Sequence, residues 1–134
     1  MNAVLDASAA IGLLLGSPDS EICRQALSGA GGQAHAPDYM AMEVVSALRR
    51  LVARGVIPTA RAQGAIEDLA AMNLELWPTV PLLERTWQLR DNITPFDAAY
   101  VALAELLDAV LVTADGPLAR AIPQMSTVRV RLVA

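Results

Sequence analysis

The chain contains no lysine: all ten of its basic residues are arginine. That absence removes several kinds of chemistry. A P-loop ATPase needs a phosphate-binding lysine, and a pyridoxal enzyme needs one for its Schiff base. A phosphoacceptor receiver domain normally keeps a lysine beside its aspartates. The single histidine, His35, excludes a nuclease that uses two histidines as acid and base. The single cysteine, Cys23, excludes an intrachain disulfide and reads as a small buried apolar residue in "SEICRQAL". No apolar stretch reaches the roughly 18–20 residues of a membrane span. The apolar N-terminal run lacks the basic flank of a signal peptide, and Asp6 interrupts it. The expectation is a soluble, cytoplasmic protein.

What is present is a chain of 134 residues, the length of one domain, 1–134. Hydrophobic residues make up 54% and aromatics only 4%, so the core should be aliphatic. So much apolar surface makes an exposed patch, and hence a partner, reasonable. A net charge of −4 argues against coating nucleic acid by charge alone, though not against an enzyme whose metal ions face the phosphates.

Strand and helix patterns alternate along the chain. "AVLD" (3–6), "AHAP" (34–37), "LELWP" (74–78), "AVLVT" (109–113) and "TVRVRLV" (127–133) read as strands, the last as an edge strand. Helical patterns cover 8–16, 18–29, 38–55, 58–72, 81–90, 94–107 and a short turn-helix over 114–122. Met40, Val44, Leu48, Leu51 and Val52 form the apolar stripe of the 38–55 helix. The helix over 94–107 is apolar nearly all round and should be buried. This alternation implies an α/β domain with a mainly parallel sheet, whose functional crevice lies at the carboxyl ends of its strands.

Asp6, Glu43, Asp97 and Asp115 stand out. Each has an ordinary reading. Asp6 could cap the following helix, although Ser8 can do so itself. Glu43 could be a solvated helix charge, but its neighbours at three and four residues are Tyr39, Met40, Ser46 and Ala47, none a cation. Asp97 in Thr94-Pro95-Phe96-Asp97 resembles part of a capping box. Asp115 before Gly116-Pro117 could be a turn residue. Together they suggest hard oxygen ligands on one sheet edge. Close carboxylates repel and need a cation, and Mg²⁺ or Mn²⁺ suits such a set. The chemistry that follows is phosphodiester hydrolysis by metal-activated water.

"VLDASA", "APDYMAMEVVSALRR", "LRDNITPFDAAYVALAE" and "LVTADGPLAR", in this order, resemble the PIN-domain ribonucleases, and most of all the VapC toxins of bacterial toxin–antitoxin pairs. The similarity spans nearly the whole chain. It implies a three-layer α/β/α sandwich with a mainly parallel sheet, and Mg²⁺- or Mn²⁺-dependent endoribonuclease activity on RNA such as tRNA or rRNA. It further implies a homodimer and a small antitoxin partner. Carried over by position, the metal-binding and catalytic acids fall on Asp6, Glu43, Asp97 and Asp115. Ser8 and Thr113 match supporting polar positions. Gly116, Pro117 and Leu118 stand where some relatives carry a further acid or Asn, which leaves one metal ion or two open. Competing readings are a non-catalytic PIN-like binding module, a housekeeping PIN nuclease and a phosphomonoesterase. The last lacks its Asp-x-Asp pair, since Asp6-Ala7-Ser8 stands there instead.

Arg50 and Arg54 lie on roughly the Glu43 face of their helix, and Arg90 and Arg120 flank the other acidic segments. Each arginine reads as a solvated surface charge. Met40, Met42, Trp77 and Trp87 read as core or interface rather than as nucleobase platforms. His35 reads as structural or surface.

Overall fold

Short runs, four of the five rich in Val or Leu, form the strands of the computed structural model, which describes residues 2–134. The strands are β1 (Ala3–Leu5), β2 (Ala34–Pro37), β3 (Leu74–Trp77), β4 (Val110–Thr113) and β5 (Val130–Leu132). They form one five-stranded sheet in the order β3-β2-β1-β4-β5, every pair parallel. β1 and β2 are buried along their whole length, as expected for central strands covered on both faces. β5 is an edge strand, shorter than the alternation over 127–133 suggests.

The helices are α1 (Ala7–Leu14), α2 (Ser20–Gly29), α3 (Met40–Ala53), α4 (Thr59–Ala71), α5 (Leu83–Gln88), α6 (Pro95–Leu107) and α7 (Gly116–Ala121). Helices α1 to α4 pack together, while α6 lies on β1, β2 and β4 with α5 against it, and α7 lies on β4 and β5. With crossovers of the right-handed sense usual for parallel strands, this strand order puts the two groups on opposite faces of the sheet. The result is the three-layer α/β/α arrangement. The stripe of α3 is buried at Met40, Val44 and Leu48. Helix α6 is buried continuously from Ala98 to Ala104, as its all-round apolar pattern requires. Cys23 is buried, and His35 is a core residue of β2 whose Nδ1 accepts from Trp77 Nε1 at 3.0 Å.

Two local expectations change. Helix α1 is capped by Asp6, whose carboxylate accepts from the Ala9 backbone N–H, and not by Ser8. It ends at Leu14, before Gly16, which takes a left-handed φ of 66°. Of the residues read as core or interface, Met40 is core, while Met42 and Trp87 expose 66% and 67% of their surface, which leaves the interface half of that reading for them.

Strand order reverses between β1 and β4. Neighbouring loops leave there in opposite directions, which opens a crevice at the carboxyl edge.

Candidate active site

Every expected acid reaches that edge by a local rule. Asp6 directly follows β1 and Asp115 follows β4 by two residues; each is the N-cap of the next helix. Glu43 and Asp97 occupy the first turns of α3 and α6. Helices between parallel strands start where strands end, so all four carboxylates come to the same edge. Each also sits at a helix N-terminus, where the macrodipole favours negative charge.

Asp6 is the best held. Its Oδ1 accepts from Ser8 Oγ at 2.7 Å and from Ala9 N at 2.9 Å, and its Oδ2 accepts from Thr113 Oγ1. Ser8 Oγ also accepts from Ala114 N at 3.0 Å, and Thr113 Oγ1 accepts from Asp115 N at 3.0 Å. Both hydroxyl protons therefore point at Asp6, the arrangement that suits an ionised carboxylate. Ser8 and Thr113 thus tie the ends of β1 and β4 together across the crevice. Burial raises the proton affinity of Asp6; its hydrogen bonds oppose this, and the Asp115 charge adds to it.

Asp97 lies beside Asp115 in a cleft of about 540 Å³ that Arg90, Asn92 and Pro117 also line. Thr94 caps α6 by accepting from Asp97 N at 3.2 Å. Thr94 also hydrogen-bonds the Asp97 side chain, which works to lower its pKa, but among the described residues no cation pairs with this carboxylate. Burial first, then the charges of Asp115, Asp6 and Glu43, push its pKa up. All four acids therefore share one electrostatic environment. Asp115 Oδ1 accepts from Leu118 N at 3.0 Å, which makes it a helix cap as well as a turn residue.

Glu43 has a partner that sequence reasoning missed. Tyr100 Oη donates to Glu43 Oε1 at 2.6 Å, and the Tyr100 ring is almost wholly buried. Burial, with Glu43 as acceptor, holds the phenol proton far above its usual range. A signal was present: Tyr100 is one turn from Asp97 on the same face of its helix and carries the one polar side-chain group in the run Ala98–Ala104. Tyr39 Oη donates to the Phe96 carbonyl at 2.5 Å, which joins the start of α3 to the start of α6.

Among the described residues, none of these four carboxylates has an Arg or His within ion-pairing distance. Nor do three His, Cys, Asp or Glu side chains converge tightly enough to enclose a metal ion. The set is therefore not a closed cage. Its hard, unpaired oxygens suit a divalent ion that keeps part of its water shell, as Mg²⁺ usually does.

The PIN domain family matches residues 3–122. Ribonuclease VapC12 of Mycobacterium tuberculosis is 38% identical over 117 residues, 87% of this chain and 89% of that protein. Ribonuclease VapC1 of the same organism is 40% identical over 119 residues, 88% of this chain and 89% of that protein. VapC ribonuclease Mb0985 of Mycobacterium bovis is 39% identical over 112 residues, 84% of each chain. The crystal structure of PAE2754 from Pyrobaculum aerophilum shares the fold: TM-score 0.70, 21% identity, 97% of this chain and 83% of that one. The strand order, the crevice at its switch point and these matches agree, and the chain belongs to the PIN-domain family, among relatives that are VapC ribonucleases.

Proposed function

We propose that this protein is a Mg²⁺- or Mn²⁺-dependent endoribonuclease, the toxin of a toxin–antitoxin pair, that hydrolyses phosphodiester bonds in tRNA or rRNA. The observation that carries this reading is the carboxylate group without counter-ions at the switch-point crevice, in a chain related to VapC ribonucleases over most of its length. The VapC kinship also supports a small antitoxin as partner, a homodimer and a cytoplasmic setting. No described helix is long and apolar enough to cross a membrane.

In this reading Asp6, Glu43, Asp97 and Asp115 would hold the divalent ion. When bound, the ion activates water as the nucleophile and offsets the charge that develops on the phosphate oxygens. The chain's own residues do the rest. Ser8 and Thr113 favour the ionised form of Asp6 against its burial and fix its direction. Tyr100 fixes Glu43. The first turns of α3 and α6 moderate the repulsion among the acids. Arg90 in the Asp97 cleft, and Arg50 in the groove beside Glu43, supply positive charge for flanking phosphates.

The test is purified protein incubated with total bacterial RNA in Mg²⁺, Mn²⁺ or EDTA, beside Asp97→Asn. Discrete fragments that require both the metal and Asp97 are expected. Cleavage by Asp97→Asn at the wild-type rate would sink the assignment. The competing reading, a binding module of the same fold, predicts RNA that stays intact in every metal.

A further inference from the structure

Phe96 is the chain's only phenylalanine and sits directly before Asp97, yet 57% of its surface is exposed. The start of α6 does not need it. Thr94 supplies the cap, Pro95 the first helical position, and the buried face begins at Ala98. The ring is nonetheless held firmly. It meets Tyr39 edge-on at 5.2 Å and 86°, and Tyr39 meets the buried Tyr100 in the same way at 5.7 Å and 81°. Tyr39 also anchors the Phe96 backbone carbonyl through its hydroxyl. An exposed aromatic that is rigid from behind loses little entropy when something stacks on its open face.

Its surroundings suit a nucleotide. Tyr39, Met42, Glu43, Ser46, Arg50 and Phe96 line an open groove of about 270 Å³. Glu43 ties this groove to the acidic crevice. Arg50 is the groove's cation, its guanidinium bonded to Ser46 Oγ at 3.0 Å. Met42, 66% exposed, adds a soft apolar wall. Phe96 directly precedes Asp97, and the acid Glu43 lines the same groove as the Phe96 ring, so a base stacked there would sit beside the acidic crevice. Trp87 is more exposed but less suitable. The Arg90 guanidinium already lies 4.4 Å from its ring centre and covers one face.

We propose that Phe96 is a stacking platform for an unpaired base of the RNA substrate next to the scissile phosphate, with Arg50 contacting the neighbouring backbone phosphate. The inference rests on the ribonuclease reading and adds to it a preference for single-stranded RNA at the cut. It leaves the reading of Met40, Met42, Trp77 and Trp87 unchanged and assigns the stacking role to Phe96, which that reading did not address. Stacking recognises the flat face that every base has, so it selects unpaired bases rather than a particular sequence.

The test measures fluorescence anisotropy of a labelled random-sequence 12-residue single-stranded RNA pool in Mn²⁺, with Asp97→Asn protein so that the RNA stays whole. A 12-base-pair RNA duplex serves as the comparison ligand. In that background Phe96→Ala should weaken single-strand binding by at least about 5-fold, leaving duplex binding and the salt dependence unchanged. Phe96→Trp should restore the affinity. Arg50→Gln should instead lower the slope of log affinity against log salt by about 0.7, the value for one phosphate contact on a single strand. Equal single-strand affinity for Phe96→Ala and its parent overturns the inference. So does an equal loss for Phe96→Trp and Phe96→Ala with melting temperatures unchanged. Wild-type cleavage of total RNA, measured alongside, keeps the two failures apart. Metal-dependent cleavage with no Phe96 effect removes only the platform. Absence of both cleavage and RNA binding removes the ribonuclease reading, and the platform with it.

Discussion

Helix α6 carries a carboxylate near each end, and the two are treated in opposite ways. Asp97 in its first turn has no counter-ion, and burial and neighbouring acids push its pKa up. Glu105, two turns further on, is gripped by Arg85 through Nε at 2.7 Å and Nη2 at 3.0 Å, and by Ser126 Oγ at 2.7 Å. The Arg85 hydrogen bond, above all, holds the pKa of Glu105 down. The helix dipole alone predicts the reverse, since it favours an acid at the N-terminus and disfavours one toward the C-terminus. The dipole contributes only about 0.3–1 kcal/mol and falls off within the terminal turn, whereas Arg85 and Ser126 together place three hydrogen bonds directly on Glu105. Neighbours therefore outweigh position along the helix. The contrast separates an acid that holds the fold together from one kept free for a ligand.

Asp97→Asn should break the contrast most sharply. Loss of an outer partner of a metal ligand costs about 10–100-fold, so loss of the ligand itself should lower RNA cleavage by at least about 100-fold. The variant should melt no lower than wild type in EDTA, because like-charge repulsion is relieved. Gel assays and a melting curve check both points. Manganese at a hundred times its dissociation constant should stabilise the wild type by about 2.7 kcal/mol. Calorimetric titration and melting curves should show this gain largely lost in Asp97→Asn. A full gain in that variant would remove Asp97 from the metal site.

Tyr100→Phe sharpens the comparison on the Glu43 side. It removes one hydroxyl that donates to the acid and leaves the buried ring. Cleavage should fall about 10-fold, and Mn²⁺ affinity measured by calorimetry should weaken by a similar factor. A pure packing role for the ring predicts no change in either.

Arg85→Ala acts on the other end of the helix. Arg85 keeps 38% of its side chain exposed, so solvent screening holds the pair to about 1 kcal/mol. The melting temperature should fall by roughly 3–4 °C, with cleavage unchanged at temperatures where the variant is folded. A loss of activity without loss of stability would mean that Glu105 belongs to the site after all.

Acid titration should reveal the two ends with opposite signs. Asp6 and Asp97 have folded pKa values above their ordinary value of 3.8. Their unfolded forms ionise first, so they cost the metal-free protein stability as pH rises through and beyond 3.8. Glu105 is lowered from 4.5, so it contributes stability above that pH, which is lost as pH falls through its folded value. Melting curves of the metal-free protein from pH 3 to pH 7 should show less alkaline-side loss for Asp97→Asn and less acid-side loss for Glu105→Gln.

Much of this molecule is legible in local sequence. Strands and helices alternate with clear start signals. Strand ends and helix starts share one edge of a parallel sheet, so Asp6, Glu43, Asp97 and Asp115 can be placed there residue by residue. The burial of α6 follows from its all-round apolar pattern, and kinship with VapC ribonucleases is carried by the four segments around these acids. What tertiary structure alone decides is who meets whom. Thr113 reaches Asp6 across 107 residues of chain, and Tyr100 reaches Glu43 across 57. The exposure of Phe96, the surface positions of Met42 and Trp87, and the opposite fates of Asp97 and Glu105 are of the same kind. Helix starts and strand ends depend on a few neighbouring residues. Burial, hydrogen-bond partners and proton affinity depend on groups that only the packed fold brings together.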